Sequence, residues 1–383
     1  MSATVTDKYP NYSPGLEGVI AGISTISEID VDRSSLQYRG YDVHDLAEKG
    51  SFEQTAYLLL FEKLPNKAEL EDFKKQLAVE RDVPSQVYDA LRAMPKHSHP
   101  MDMIRTAYSV LAPFDPDYTA PSTDDAANLR KAVRIVAKAG TMVANGHRIR
   151  KGLEPLKPKP EHTTAQNFLY LMGGEEPNPK TVQVMDASLT LYAEHGYNAS
   201  TFACRVTVAT LSDLYSGIVS GIGTLRGPLH GGANEEAMKM ILEIGSPDKA
   251  EAWINDALTN KKKIMGFGHR EYKKGDSRAF YMTRVAKELG REMNNTQYGD
   301  IADILERTML EKKNLYPNVD FPAAYAYYLL GIPIDLYTPI FVVARVSGWS
   351  AHAIEQLRHN RLIRPTAIYE GHRNRDYVEM ANR

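Results

Sequence analysis

The chain has one cysteine, Cys204, among 383 residues. That excludes an intrachain disulfide and fits a reducing compartment. It also lacks an excess of charge of either sign, since 46 Lys and Arg face 48 Asp and Glu for a formal net charge of −2. The basic residues are scattered, with local clusters only at Lys261-Lys262-Lys263 and Lys273-Lys274. Neither nucleic acid nor a membrane surface is therefore expected as a partner. No run of about 18 uncharged apolar residues exists; the best candidate, Ile340 to Ile354, is interrupted by Arg345 and His352. Met1 to Pro14 shows no apolar core, no cleavage-site pattern and no Arg-rich transit composition. A cytoplasmic protein is expected. P-loop, His-Glu-x-x-His and paired-cysteine patterns are missing, and no metal site is predicted by spacing. Gly221-Ile222-Gly223 is no dinucleotide fingerprint, because Arg226 stands where the third glycine belongs and no strand precedes it.

What is present is an ordinary globular balance, 43% hydrophobic and 25% charged, on a chain long enough for two domains. Most of it reads as helix. Asp124 and Asp125 can cap a helix in which Leu129, Val133, Val136 and Ala137 follow a 3.6-residue period, ending near Gly152. Further helices are predicted from Thr181 to His195, from Ser200 or Thr201 toward Ser220, from Asp300 to Asn314, and from Pro339 to about His359. Cys204 lies in an apolar helical stretch and is expected as a small buried filler. Strand signals are confined to Gly18–Ser24 and Ser35–Arg39. The prediction is a mainly α protein with a small N-terminal β element and no internal repeats. Gly221, Gly223, Gly227 and Pro228 mark one joint, and Pro317 with Gly331-Ile332-Pro333 the other. A large helical domain of residues 1–224 and 326–383 would then carry a smaller helical domain of residues 225–325, around a cleft that closes by hinge motion.

Three clusters can carry chemistry. In Gly227-Pro228-Leu229-His230-Gly231-Gly232-Ala233-Asn234, glycines leave His230 on accessible backbone before a helix N-terminus, whose positive end disfavours the imidazolium. A neutral imidazole there can donate to a developing oxyanion; the alternative is a surface-loop histidine. In Met265-Gly266-Phe267-Gly268-His269, followed by Asp276-Ser277-Arg278, the glycines let backbone amides approach a ligand. His269 adds a proton donor there, and Arg278 a two-pronged carboxylate clamp. The alternative is a basic solvated loop. In Tyr316-Pro317-Asn318-Val319-Asp320-Phe321-Pro322, apolar neighbours would desolvate Asp320 and make it more basic. Read alone, Asp320 serves equally well as a helix cap.

Together, in this order, the blocks resemble the signatures of citrate synthases. The likeness extends to Tyr192-Ala193-Glu194-His195 with Asn198-Ala199-Ser200-Thr201-Phe202, and to His99-Pro100-Met101-Asp102. Leu36-Gln37-Tyr38-Arg39-Gly40-Tyr41 and Arg361-Leu362-Ile363-Arg364-Pro365 continue it, so that it runs from about Gly15 to Gly371. Any one block is weak, but seven in order leave little room for chance.

The resemblance implies a citrate synthase-like homodimer, mostly helical, with a large and a small domain. Asp320 matches the base that takes a proton from the methyl group of acetyl-CoA, and His230 the donor to the thioester oxygen as the enol forms. His269 matches the residue that polarises the oxaloacetate ketone and protonates the new alkoxide. His195, Arg278 and Arg345 match oxaloacetate ligands, and Arg364 an Arg delivered by the partner subunit. Gly266, Phe267, Gly268 and Asn318 are the implied CoA contacts. No cofactor and no metal is called for, with acetyl-CoA as substrate. Glu271 stands where the family usually has Val or Ile, and Ser277 where Pro is commoner; neither change removes a catalytic group. Propionyl-CoA is the rival substrate, as in 2-methylcitrate synthase, because one methylene is worth only about 1–3 kcal/mol of discrimination. A non-catalytic helical scaffold would be expected to lose Asp320, His230 or His269, and all three are present.

Overall fold

The computed structural model describes residues 8–30, 35–268 and 275–383. Among the described residues the chain forms sixteen α-helices and one small antiparallel sheet, as the sequence predicts. At its centre the helices Asp125–Arg150 and Tyr337–Arg358 pack on each other, each buried on nearly every face. Asp124 caps the first by accepting from Ala127 N. Gly152, just past its end, turns left-handed at φ 76°. None of the helices is long and apolar enough to cross a membrane.

The sheet runs β1 (Ser27–Asp30), β2 (Ser35–Tyr38) and β3 (Tyr41–Asp42), with Ser27 opposite Tyr38 and Tyr38 opposite Tyr41. The expected strand at Gly18–Ser24 is absent. Ile20 and Ile23 are each 89% exposed. An apolar alternation makes no strand without a ladder partner and a surface to cover. The more polar Ser27–Asp30 takes that place, entered from the buried Ile26, whose carbonyl accepts from Arg39 N at 2.8 Å.

The helix expected from Ser200 toward Ser220 is two, Ala199–Val208 and Leu214–Leu225. Leu211 breaks the run at φ 64°, and Asp213 starts the second helix by accepting from Ser216 N. The pair packs so closely that a Cβ on Gly217 would lie 2.7 Å from Val208 Cγ1. Cys204 is fully buried in this seam, where burial pushes its thiol up to about 12, as suits a filler. Other helix ends shift by up to three residues. Pro179–Tyr192 starts at an Asn178 cap, Gln297–Lys313 ends on left-handed Asn314, and Tyr337–Arg358 begins two residues before Pro339. The helices Ala233–Ile244, Pro247–Thr259, Ser277–Glu292, Gln297–Lys313 and Asp320–Leu329 pack mainly on one another.

A carboxylate pair sits where the Phe52–Phe61 helix meets Pro179–Tyr192. Asp186 accepts from Phe52 N, and the fully buried Glu53 accepts from Thr164 N. Burial first, then the Glu53 charge, raise Asp186 to about 8. A carboxyl raised in the folded state contributes stability that is fully present below its unfolded range and is lost as pH rises toward 8. Asp186→Asn keeps an acceptor for Phe52 N. Urea unfolding between roughly pH 4 and 8 should show the wild type losing stability that the variant keeps. Parallel curves for the two proteins would exclude the effect.

Candidate active site

Asp320 opens the helix Asp320–Leu329, yet its side chain does not cap it. Asn318 Oδ1 accepts from Asp320 N at 3.1 Å, and the N–H that a cap at Asp320 could use, that of Ala323, donates to Val319 O. The Asp320 carboxylate accepts from the Tyr192 hydroxyl at 2.7 Å through Oδ1. Burial raises the Asp320 pKa, and the Tyr192 hydrogen bond and the Arg278 and Arg345 charges oppose this without cancelling it.

The Met265–Gly268 turn is stitched to the same segment. Gly268 N donates to Tyr316 O (2.8 Å), Asn318 N to Gly266 O (2.9 Å), and Asn318 Nδ2 to Gly268 O (3.1 Å). Phe267 forms a single bridge with Pro317 and packs on Phe321 with ring centroids 4.6 Å apart. Gly266 has φ 81°, and a Cβ there would meet Phe321 Cβ at 2.7 Å.

His230 lies in the turn before Ala233–Ile244. Its Nε2 is 2.7 Å from Ser200 Oγ, and Ser200 N donates to the same nitrogen at 3.3 Å. Nε2 is thus an acceptor and Nδ1 carries the proton. Trp349 Nε1 donates to Ser200 Oγ at 3.2 Å, steadying the hydroxyl. The His230 pKa falls to about 4. Sequence reasoning assigned this to the helix end; the causes are burial and then the Arg345 charge. Gly231 is a steric requirement, since a Cβ would stand 2.0 Å from Leu225 O.

Arg345, in the middle of Tyr337–Arg358, is 1% exposed. Its Nε donates to Tyr192 O at 2.8 Å, and its guanidinium lies 4.5 Å above the Phe341 ring. Burial pushes it down to about 10, against the Glu194 charge. Arg278 is buried in the first turn of Ser277–Glu292 and grips Asp276 through Nε (3.0 Å) and Nη2 (2.9 Å). Asp276 also accepts from Val319 N at 3.1 Å, one residue before Asp320.

His195 is buried next to Glu194, whose carboxylate accepts from Ser27 Oγ (3.1 Å) and Gly196 N (2.5 Å) and contacts His352 Nε2 at 2.8 Å. Burial alone would raise Glu194; His352 and Arg345 outweigh it and hold the carboxyl below its usual range. Tyr38 Oη donates to Glu194 O at 2.9 Å and accepts from Glu194 N at 3.2 Å.

The structure thus brings Arg278, Arg345 and Asp320 together, with Arg345 acting electrostatically on both Asp320 and His230, while His195 is buried one residue after Glu194. Arg364 stands apart, exposed on the extended segment that follows Arg358. His269 and Glu271 lie outside the described residues. Sequence reasoning missed the roles of Tyr192, Ser200, Glu194 and Asp276, although all four stood in the quoted blocks. A desolvated carboxylate, a neutral imidazole donor and two guanidiniums suit proton abstraction beside a carbonyl, with a carboxylate-bearing partner held close.

Comparison with known proteins shows the family. Residues 15–366 match the family model "Citrate synthase, C-terminal domain". Citrate synthase 2 of Bacillus subtilis is 48% identical over 370 residues, covering 96% of this chain and 98% of that one. A 2-methylcitrate synthase of Mycobacterium tuberculosis is 44% identical over 375 residues, covering 98% and 94%. Among solved structures, the citrate synthase of Thermoplasma acidophilum, in a ternary complex with carboxymethyl coenzyme A and oxaloacetate, superposes with a TM-score of 0.91 at 34% identity over 97% of this chain and 99% of that one. By sequence and by fold alike, the chain belongs to the citrate synthase family.

Proposed function

We propose that the protein condenses acetyl-CoA with oxaloacetate and water to give citrate and CoA. The observation that carries this reading is the pairing of a desolvated Asp320 with a neutral His230 beside Arg278 and Arg345. In the proposed sequence Asp320 takes a proton from the acetyl methyl group, and His230 donates from Nδ1 to the thioester oxygen as the enol forms. The enol carbon attacks the oxaloacetate ketone carbon, and His269 protonates the resulting alkoxide. Water then cleaves the thioester, releasing CoA. A well-placed donor to the developing oxyanion is typically worth about 3–4 kcal/mol. His195, Arg278 and Arg345 bind oxaloacetate, while Gly266, Phe267, Gly268 and Asn318 approach the CoA. The reaction asks for no metal and no prosthetic group.

Closure of the segment 225–325 over residues 1–224 and 326–383 would exclude water from the thioester until condensation is complete. The proposal includes a cytoplasmic homodimer in which Arg364 completes the partner's site.

Propionyl-CoA remains the second substrate reading, favoured by the 44% identity to a 2-methylcitrate synthase. Steady-state rates with the two thioesters, followed by thiol release, decide between them; acetyl-CoA is expected to have the higher kcat/KM.

Asp320→Asn should lower turnover by about 10²–10⁴-fold, the usual contribution of a general base, and leave oxaloacetate affinity nearly intact. A variant that keeps more than half of wild-type turnover, about twofold or less in loss, would remove Asp320 from the base role.

Arg364→Ala and Asp320→Asn chains should each be nearly inactive as homodimers. Reassociating an equal mixture should restore roughly a quarter of wild-type activity, because half the dimers are mixed and each carries one intact site. No recovery, with mixed dimers verified by mass, would show that Arg364 serves its own chain.

A further inference from the structure

Tyr192 closes the helix Pro179–Tyr192 and touches both halves of the site. Its hydroxyl donates to Asp320 Oδ1 at 2.7 Å, and its carbonyl accepts from Arg345 Nε at 2.8 Å. The side chain is 1% exposed, and its ring meets Phe341 edge-on with centroids 4.8 Å apart. Among the described residues, the other carboxylate oxygen, Asp320 Oδ2, accepts no hydrogen bond.

We propose that Tyr192 is a positioning residue for proton abstraction: its hydroxyl turns Asp320 Oδ1 into the protein and presents Oδ2 to the substrate, while its carbonyl holds Arg345 in register with that base. This rests on the reading of Asp320 as the base. A bond from Tyr192 also favours the ionised carboxylate, which burial disfavours. The other charged or titratable groups facing Asp320 are Arg278 and Asp276 from the start of Ser277–Glu292, Arg345 from Tyr337–Arg358, and Tyr327 on its own helix. Burial holds the Tyr192 phenol well above its usual range, so it stays a donor wherever the enzyme works.

The test is Tyr192→Phe, which keeps the ring and the backbone carbonyl. Two measurements are needed: kcat/KM for the acyl-CoA across roughly pH 5 to 9, and oxaloacetate affinity by calorimetry. The acidic limb should move to higher pH, lowering activity at its foot about tenfold relative to the alkaline plateau, as expected for a lost hydrogen bond to a charged group. Oxaloacetate affinity should be retained. A uniform fall at every pH, an unmoved profile, or loss of oxaloacetate binding would each overturn the proposal by making the hydroxyl a structural prop. Asp320→Asn assayed alongside separates the two readings. If it stays active, the base assignment fails; if it is inactive while the Tyr192→Phe profile is unmoved, only the positioning role fails.

Discussion

The burial of one guanidinium organises this structure. Arg345 sits 1% exposed within a central helix, and a cation removed from water needs compensation from every side. The Tyr192 carbonyl supplies a hydrogen bond, Phe341 a ring face and Glu194 the opposite charge. Glu194 is then a buried carboxylate with needs of its own, met at Oε1 by Ser27, the Gly196 N–H and His352, while Oε2 is buried without a hydrogen-bond partner among the described residues. Ser27 belongs to β1, and β2 sends Tyr38 to the backbone of the same residue. The small sheet is thereby part of the polar lining that makes a buried cation tolerable. Gly348 completes it, since a Cβ there would stand 2.4 Å from the Ala193 carbonyl.

The same cation acts on both His230 and Asp320. Desolvation penalises charge, so it pushes the Asp320 carboxyl up and the His230 imidazolium down. Arg345 lowers both, strengthening the shift at His230 and restraining the one at Asp320. The outcome is an imidazole kept neutral, able to donate without becoming a competing acid. Burial makes the carboxylate more basic, and Arg345 works against that shift. Two groups with opposite duties can share one dry pocket because a fixed positive charge acts on them unequally.

Much of this was legible in the sequence where a residue type has few alternatives. Asp124 before a periodic apolar run, and Asn314 after one, mark helix ends through local hydrogen bonding and left-handed geometry that scarcely depend on the rest of the fold. Gly18–Ser24 misled because strand pattern is a statement about neighbours, and none is there to pair with it. The long helix predicted from Ser200 fails for a related reason: Ala, Ser, Gly and Val suit a close helix pair as well as a single helix, and only Leu211 and Asp213 separate the two. Asp320 was legible as a carboxylate of two possible uses. As a cap it would have had little to bind, since residue 322 is a proline without an N–H and Ala323 N already donates to Val319 O. Asp276 and Tyr192 act through contacts 43 and 128 residues away, which no local pattern announces.

The glycine turn before His269 has a packing task beside the ligand contact expected of it. Gly266-Phe267-Gly268 suggests backbone bared for a ligand, yet Gly266 is needed because Phe321 packs against its Cα. Phe267 then bridges Pro317, and Asn318 bonds back to both glycines. The turn is therefore a buttress for the segment that ends at Asp320, whatever else it contacts. Asp276 reinforces it from the other side, holding Val319 N and Arg278 with one carboxylate. The start of the Asp320 helix and Arg278 are fixed to each other through that single side chain. Rigid relative placement of reacting groups matters more to catalysis than the strength of any one contact, because misplacement by about 1 Å can cost about a hundredfold in rate.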